Sequence, residues 1–211
     1  MAGTKSAVSS GAEARVRILE SAQSVFTERG FHGATIDAIA KGSGLSRAGL
    51  LHHFASKEEL LLALLDARDA ELGLENGHWV DEGESASELL SSLPSRIDDI
   101  LARRGLVALA HALSAEAAEP EHPAHEWLVG RYARLRDHLT EAFELSIARG
   151  ELDSAVPASV LASMWLATVE GLEAQWLADP DAVNVRDGME ALQKLILGSQ
   201  RGGVSTSSTS G

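Results

Sequence analysis

Residues 35–57 read TIDAIAKGSGLSRAGLLHHFASK, and this stretch decides the fold. Thr35 is a helix N-cap by residue type. Asp37 brings a carboxylate into the first turn, where the helix dipole favours it. Ile36, Ile39 and Ala40 fall on one face at helical spacing. Gly42-Ser43-Gly44 ends that helix, because glycine takes the left-handed conformation a C-terminal cap requires. Leu45 turns back towards the core, and Ser46 caps a second helix with Leu50, Leu51 and Phe54 as its apolar side. Two short helices joined this tightly form a helix-turn-helix, which lays its second helix in the DNA major groove.

Two placements strengthen that reading. Arg47 and Lys57 each follow a serine cap, at the first position of a helix. A cation there opposes the macrodipole and costs about 0.3–1 kcal/mol. A nearby phosphate reverses the sign, since helix N-termini attract anions. Gly49 sits inside the second helix, where glycine costs roughly 1 kcal/mol relative to alanine. Ala48-Gly49 leaves a nearly bare surface that permits close approach to bases or backbone. The bland alternative is a solvated helix carrying an indifferent glycine.

The chain has 211 residues, room for one large or two small domains. A hydrophobic share of 45% against 23% charged residues is ample for a core. Cysteine is absent, which excludes disulfides, thiolate metal sites and cysteine nucleophiles. The N-terminal stretch lacks the apolar core of a signal peptide, and no apolar run reaches transmembrane length. A cytoplasmic protein is the expectation. The net charge of −13 argues against DNA binding until its distribution is examined. Residues 1–60 hold seven Lys/Arg and six Asp/Glu; residues 61–211 hold eleven and twenty-five. The acidity belongs to the second part, which repels DNA and leaves the near-neutral head as the reader.

Outward from the motif, every segment reads as helix. Ile18, Ala22, Val25 and Phe26 stripe a helix from Ala12 to Arg29, closed by Gly30. Ser56 and Glu59 form a capping box for a helix that connects head to body. Further helices are expected over Glu88–Arg103, with Pro94 as a kink or break, and over Leu106–Ala118. A long one covers Ala124–Arg149, another Pro157–Ala178, and a last one follows the Asn184 cap. The expected fold is all-α, with about nine helices. The domains are a flexible tail over 1–11, a head over 12–55, a body over 56–198 whose connector is 56–75, and a second flexible tail over 199–211.

The run ATIDAIAKGSGLSRAGLLHHFASKEELLLALL resembles the head of TetR-type transcriptional repressors. Their pattern is a capped helix, a glycine turn, a reading helix begun by Ser-Lys/Arg and closed on Phe, then Ser-Lys-Glu. The body resembles that family in layout. The resemblance implies a homodimer on the last two helices and a cavity for a small-molecule effector. It further implies ligand-controlled release from a palindromic double-stranded operator, with no cofactor. Matched residue by residue, Thr35 and Lys57 correspond to phosphate contacts. Ser46, Arg47, Ala48, Gly49 and His52 correspond to the groove-facing part, and Leu50 and Phe54 to core anchors. Two positions depart from the pattern: Leu51 and His53 stand where tyrosines are common. His53 keeps a polar contact of shorter reach, so operator affinity is expected to fall as pH rises through the histidine range.

Elsewhere the chemistry is thin. Glu119, His122, His125 and Glu126 lie close together, but prolines split the segment and it lacks metal-site spacing, so no metal is expected. His111, Trp127, Tyr132 and Trp165 are the candidate effector contacts, weighed against ordinary core roles. Leu172, Trp176, Met189, Leu192 and Ile196 are the candidate dimer seam. Two rivals to a ligand-responsive repressor are a metal-dependent hydrolase and a helical architectural or partner-binding protein with a degenerate helix-turn-helix. The first lacks any nucleophile–base constellation, so no enzyme is expected. Gly49 and Leu51 are the features that argue for the second.

Overall fold

The computed structural model describes residues 3–71 and 83–198. The expected tail over 199–211, Trp79 and the end of the connector, 72–75, lie outside the described residues. Those described form an all-α chain of nine helices: α1 (Gly3–Gly33), α2 (Ile36–Gly42), α3 (Arg47–His53), α4 (Lys57–Glu71), α5 (Ala86–Leu101), α6 (Arg104–Ala117), α7 (His125–Ala148), α8 (Ala158–Ala178) and α9 (Val185–Gly198).

Three boundaries differ from the sequence reading. Helix α1 begins at Gly3, so the expected flexible tail over 1–11 gives way to helix. Its Ala/Ser/Lys composition holds no proline, and extending a formed helix is far easier than nucleating one. Second, Gly30 kinks α1 (φ 66°, ψ 179°), but helix resumes to Gly33. Third, α5 runs through Pro94 without a break. Proline costs one backbone hydrogen bond there, and burial of Leu89, Leu90 and Ile97 along the helix offsets it.

The chain divides into two compact units, Met1–Gly77 with Ile100–Ala133, and His78–Asp99 with Arg134–Gly211. The first therefore does not end with the head at residue 55. Its core runs without interruption from Ile18, Ala22 and Phe26 of α1 through Ile39, Leu50, Phe54, Leu60 and Leu61 to Leu109 and Leu113 of α6. Each fully buried Leu, Ile or Phe contributes about 1.5–3 kcal/mol of hydrophobic free energy. A head that shares these residues with α4 and α6 cannot separate from them cheaply.

The second unit packs Leu135, Leu139 and Phe143 of α7 with Leu161, Trp165 and Val169 of α8 and Val185 and Met189 of α9 as its core. Ser85 and Glu88 cap α5 reciprocally, Ser85 N–H donating to Glu88 Oε2 (2.7 Å) and Glu88 N–H to Ser85 Oγ (3.3 Å). Hydrogen bonds from the Ser85 backbone and hydroxyl, then Arg149, hold the Glu88 carboxyl below its usual range. Gly188 lets α9 approach α8: a Cβ there would stand 2.7 Å from Leu172 Cδ1.

Candidate nucleic-acid interface

Both helices of the motif are capped at their N-termini by short-range bonds. Thr35 Oγ1 accepts from Ala38 N–H (3.2 Å), and Ser46 Oγ accepts from Gly49 N–H (3.0 Å). Between them, Ser43 N–H donates to Ile39 O (3.0 Å) and Leu45 N–H to Ala40 O (2.9 Å). The left-handed residue of the turn is Gly44 (φ 72°). Gly42 serves a different purpose: a Cβ there would collide with Ser21 Oγ, so its bareness seats α2 against α1. Leu50 and Phe54 are completely buried and pin α3 to the core.

Two arginines of α1 complete the seat. Arg15 donates to His53 O (2.8 Å), and its guanidinium lies 4.1 Å from the Phe54 ring centroid. Arg17 Nε donates to Ser43 O (3.4 Å), and Ser21 Oγ to Ile39 O (2.9 Å). The sequence reading missed all three, because their partners lie 18 to 38 residues away and carbonyl acceptors leave no trace in residue type.

Thr35, Ser46, Arg47, Ala48 and His52 are exposed, and Gly49 and His53 half-buried. They gather on one surface of the head along α3 and the N-terminus of α2. Arg47 Nη1 donates to Asp37 Oδ2 at 3.0 Å, with both side chains mostly exposed. The carboxylate thus offsets the cation's unfavourable place at the start of α3. Lys57 behaves otherwise. Its ammonium donates to Phe31 O (2.8 Å) and Ala34 O (3.1 Å) and lies 4.2 Å from the Phe31 ring centroid. It ties the start of α4 to the turn that carries Thr35. Ser56 Oγ accepts from Glu59 N–H (3.1 Å), while Glu59 Oε2 accepts from Ala55 N–H (2.7 Å), which is the expected capping box shifted by one residue on its return bond.

The other candidate residues do not converge. Trp127 lines a cleft between α4, α6 and the start of α7, and its indole N–H donates to Asp66 Oδ1 (2.8 Å). His111 and Tyr132 are half-buried in the same unit and do not line that cleft. Trp165 is completely buried in the other unit and belongs to its core. Met189 is 0% exposed, so its expected place on a dimer seam is corrected: it packs inside its own chain. Leu172, Trp176, Leu192 and Ile196 are half-buried, whereas Val160 (44%), Met164 (52%) and Leu195 (74%) are, among the described residues, the large apolar side chains that α8 and α9 leave exposed. His122 Nδ1 accepts from Ala124 N–H (3.1 Å) and His125 Nδ1 donates to Ala117 O (3.0 Å), so the two histidines serve the turn separately.

Comparison with known proteins bears on the same region. The family model for bacterial regulatory proteins of the tetR family matches residues 18–64. The HTH-type transcriptional repressor AcnR of Corynebacterium diphtheriae is 27% identical over 189 residues, covering 88% of this chain and 93% of AcnR. The HTH-type transcriptional regulator UidR of Escherichia coli is 36% identical over 100 residues, or 44% of this chain and 47% of UidR, so that match spans about half of UidR. Salmonella enterica GusR superposes with a TM-score of 0.66 at 25% identity, covering 88% of this chain and 95% of GusR. With its capped reading helix inside the matched residues and its helical body aligned along most of AcnR and GusR, the chain is similar to DNA-binding transcriptional regulators of the TetR type.

Proposed function

We propose that the chain acts as a homodimeric repressor whose two α3 helices enter successive major grooves of a two-fold symmetric operator, and that a small-molecule effector releases it. The observation that carries the DNA part is the surface of α3: an exposed Arg47, a bare Ala48-Gly49 patch and an exposed His52, on a helix held rigid by buried Leu50 and Phe54. Arg47 is the proposed base reader, with guanine the favoured target of its fork. Ser46 and Thr35 hydroxyls and the α2 N-terminus are proposed to meet phosphates. His53, half-buried at the end of α3, is proposed as a backbone contact. Lys57, already engaged with two carbonyl oxygens, is proposed to position Thr35.

Dimerisation is supported by the exposed apolar side chains of α8 and α9. Val160, Met164 and Leu195 face solvent in the single chain, and Ala167, Gly171 and Ala174 keep the rest of that α8 surface low enough for close helix approach. Symmetric operators require two heads about 34–36 Å apart, or a multiple of it. The effector is proposed to enter the cleft between α4, α6 and α7, because α4 carries the head and shares its core.

Selection from a random duplex pool, with the enriched sequence remeasured at two salt concentrations, tests this reading. A palindrome bound far more tightly than random DNA is the expected result. Failure of active protein to enrich any sequence would overturn the reader.

A further inference from the structure

The cleft between α4, α6 and the start of α7 is partly open to solvent. Leu65, Leu113, Leu128 and the Trp127 indole give it an apolar wall among the described residues. At its edge lies a charge cluster with an unusual balance. Asp69 is buried and accepts from Arg68 Nη1 (2.6 Å) and from Arg131 Nε (3.0 Å to Oδ2, 3.3 Å to Oδ1). One carboxylate is thus shared by two guanidinium groups. Arg68 is further held by Leu106 O, to which its Nε donates (3.0 Å).

Arg131 differs. Its side chain is only 11% exposed, and it spends only Nε on Asp69. Among the described residues its two terminal nitrogens, Nη1 and Nη2, have no hydrogen-bond partner, and the residue lines the cleft. A guanidinium largely withdrawn from water loses hydration, so it gains from any acceptor brought to those nitrogens. Trp127 and Tyr132 flank it, each ring centroid 6.0 Å from its Cζ, which limits its swing.

From this geometry we infer that the cleft takes a small organic monoanion, an aryl or branched aliphatic carboxylate. Its apolar body rests on Leu65, Leu113 and Trp127, and its carboxylate is forked by Arg131 Nη1 and Nη2. The planar fork matches a carboxylate. Asp66, fixed on the Trp127 indole, keeps a negative charge beside the cleft and disfavours a dianion. The inference rests on the reading of this cleft as the effector site, and it names that effector's chemical class.

Calorimetric titration of the full chain tests it, with benzoate, 4-isopropylbenzoate and 3-methylbutanoate each paired with its primary amide. At least one carboxylate is expected to bind roughly tenfold more tightly than its own amide, about 1.4 kcal/mol. Arg131→Gln should bring that preference close to unity, because the acid loses far more affinity than the amide. Leu113→Phe, which fills the cleft, should weaken acid and amide alike. Amides that match their acids, a preference that survives Arg131→Gln, or no carboxylate binding at millimolar concentration would each overturn the inference. The same carboxylate is then added to the operator complex. Binding without any change in operator affinity supports the site while sinking the effector reading, so the two failures stay distinct.

Discussion

Arg47 sits 3.0 Å from Asp37 on an open surface, and that pairing governs what the residue can contribute. An exposed ion pair is worth about 0–1 kcal/mol, so exchanging it for a base edge costs little. A good bidentate contact to guanine discriminates by about 1–3 kcal/mol. Arg47→Ala is therefore expected to flatten preference at one base pair in each half-site. Competition binding against singly substituted operators would show it, with thermal stability unchanged. Equal loss of affinity on every sequence would assign Arg47 to the phosphates instead. This residue was legible from its place after a serine cap. Its partner was not, because Asp37 and Arg47 are ten positions apart and meet only once the turn between α2 and α3 is built.

At the scale of elements, α4 is seated by a cation. Lys57 bridges the carbonyls of Phe31 and Ala34, so the connecting helix and the turn before α2 move together. Lys57→Met keeps the stem and removes the donors. It is expected to lower unfolding free energy by about 1–3 kcal/mol, towards the lower end because the side chain is half-buried. A lysine bound to phosphate would predict something else: its removal would shrink the slope of log affinity against log salt by about 0.9 for each phosphate no longer neutralised. Chemical denaturation together with a salt titration separates the two, and the expected pattern is reduced stability with an unchanged slope. The caps at Thr35, Ser46 and Ser56 were readable because each bond closes within three residues. Met189 was not, since an amphipathic stripe shows that a face is buried without showing whether the same chain or a second copy buries it. Helical spacing has the same limit in α8: Met164 shares a face with Leu161 and Trp165 by register, but the helix buries Leu161, Ala162, Trp165 and Leu166 and leaves Met164 outside.

For the molecule as a whole, the decisive fact is that head, α4 and α6 share one core, so the head answers to whatever α6 feels. Glu116 of α6 reaches the kink of α1: its Oε2 accepts from Phe31 N–H at 2.6 Å, and a Cβ on Gly30 would collide with that carboxylate. His122, from the turn after α6, is buried in the same joint. Its ring lies edge-on to Phe31 (5.0 Å) and His32 (5.9 Å), and Nε2 is 3.8 Å from Glu116 Oε2, too far for a hydrogen bond. Burial lowers the His122 pKa from its ordinary 6.5, Glu116 opposes that shift, and His32 adds to it. The folded chain thus resists a proton that the unfolded chain accepts. Stability from this residue is fully present above about pH 6.5 and is lost as pH falls towards and through the lower folded value. His122→Gln keeps a side chain able to accept from Ala124 N–H but cannot titrate. Its unfolding free energy should converge on that of the wild type between pH 7.5 and 5.5, because only the wild type loses this contribution as the solution acidifies. Denaturant melts of both proteins across that range measure it, and two parallel curves would show that His122 does not hold the joint by staying neutral. Convergence would tie proton uptake to the contact between α6 and the reading head, and operator affinity of the wild type should then weaken relative to His122→Gln over the same acid range.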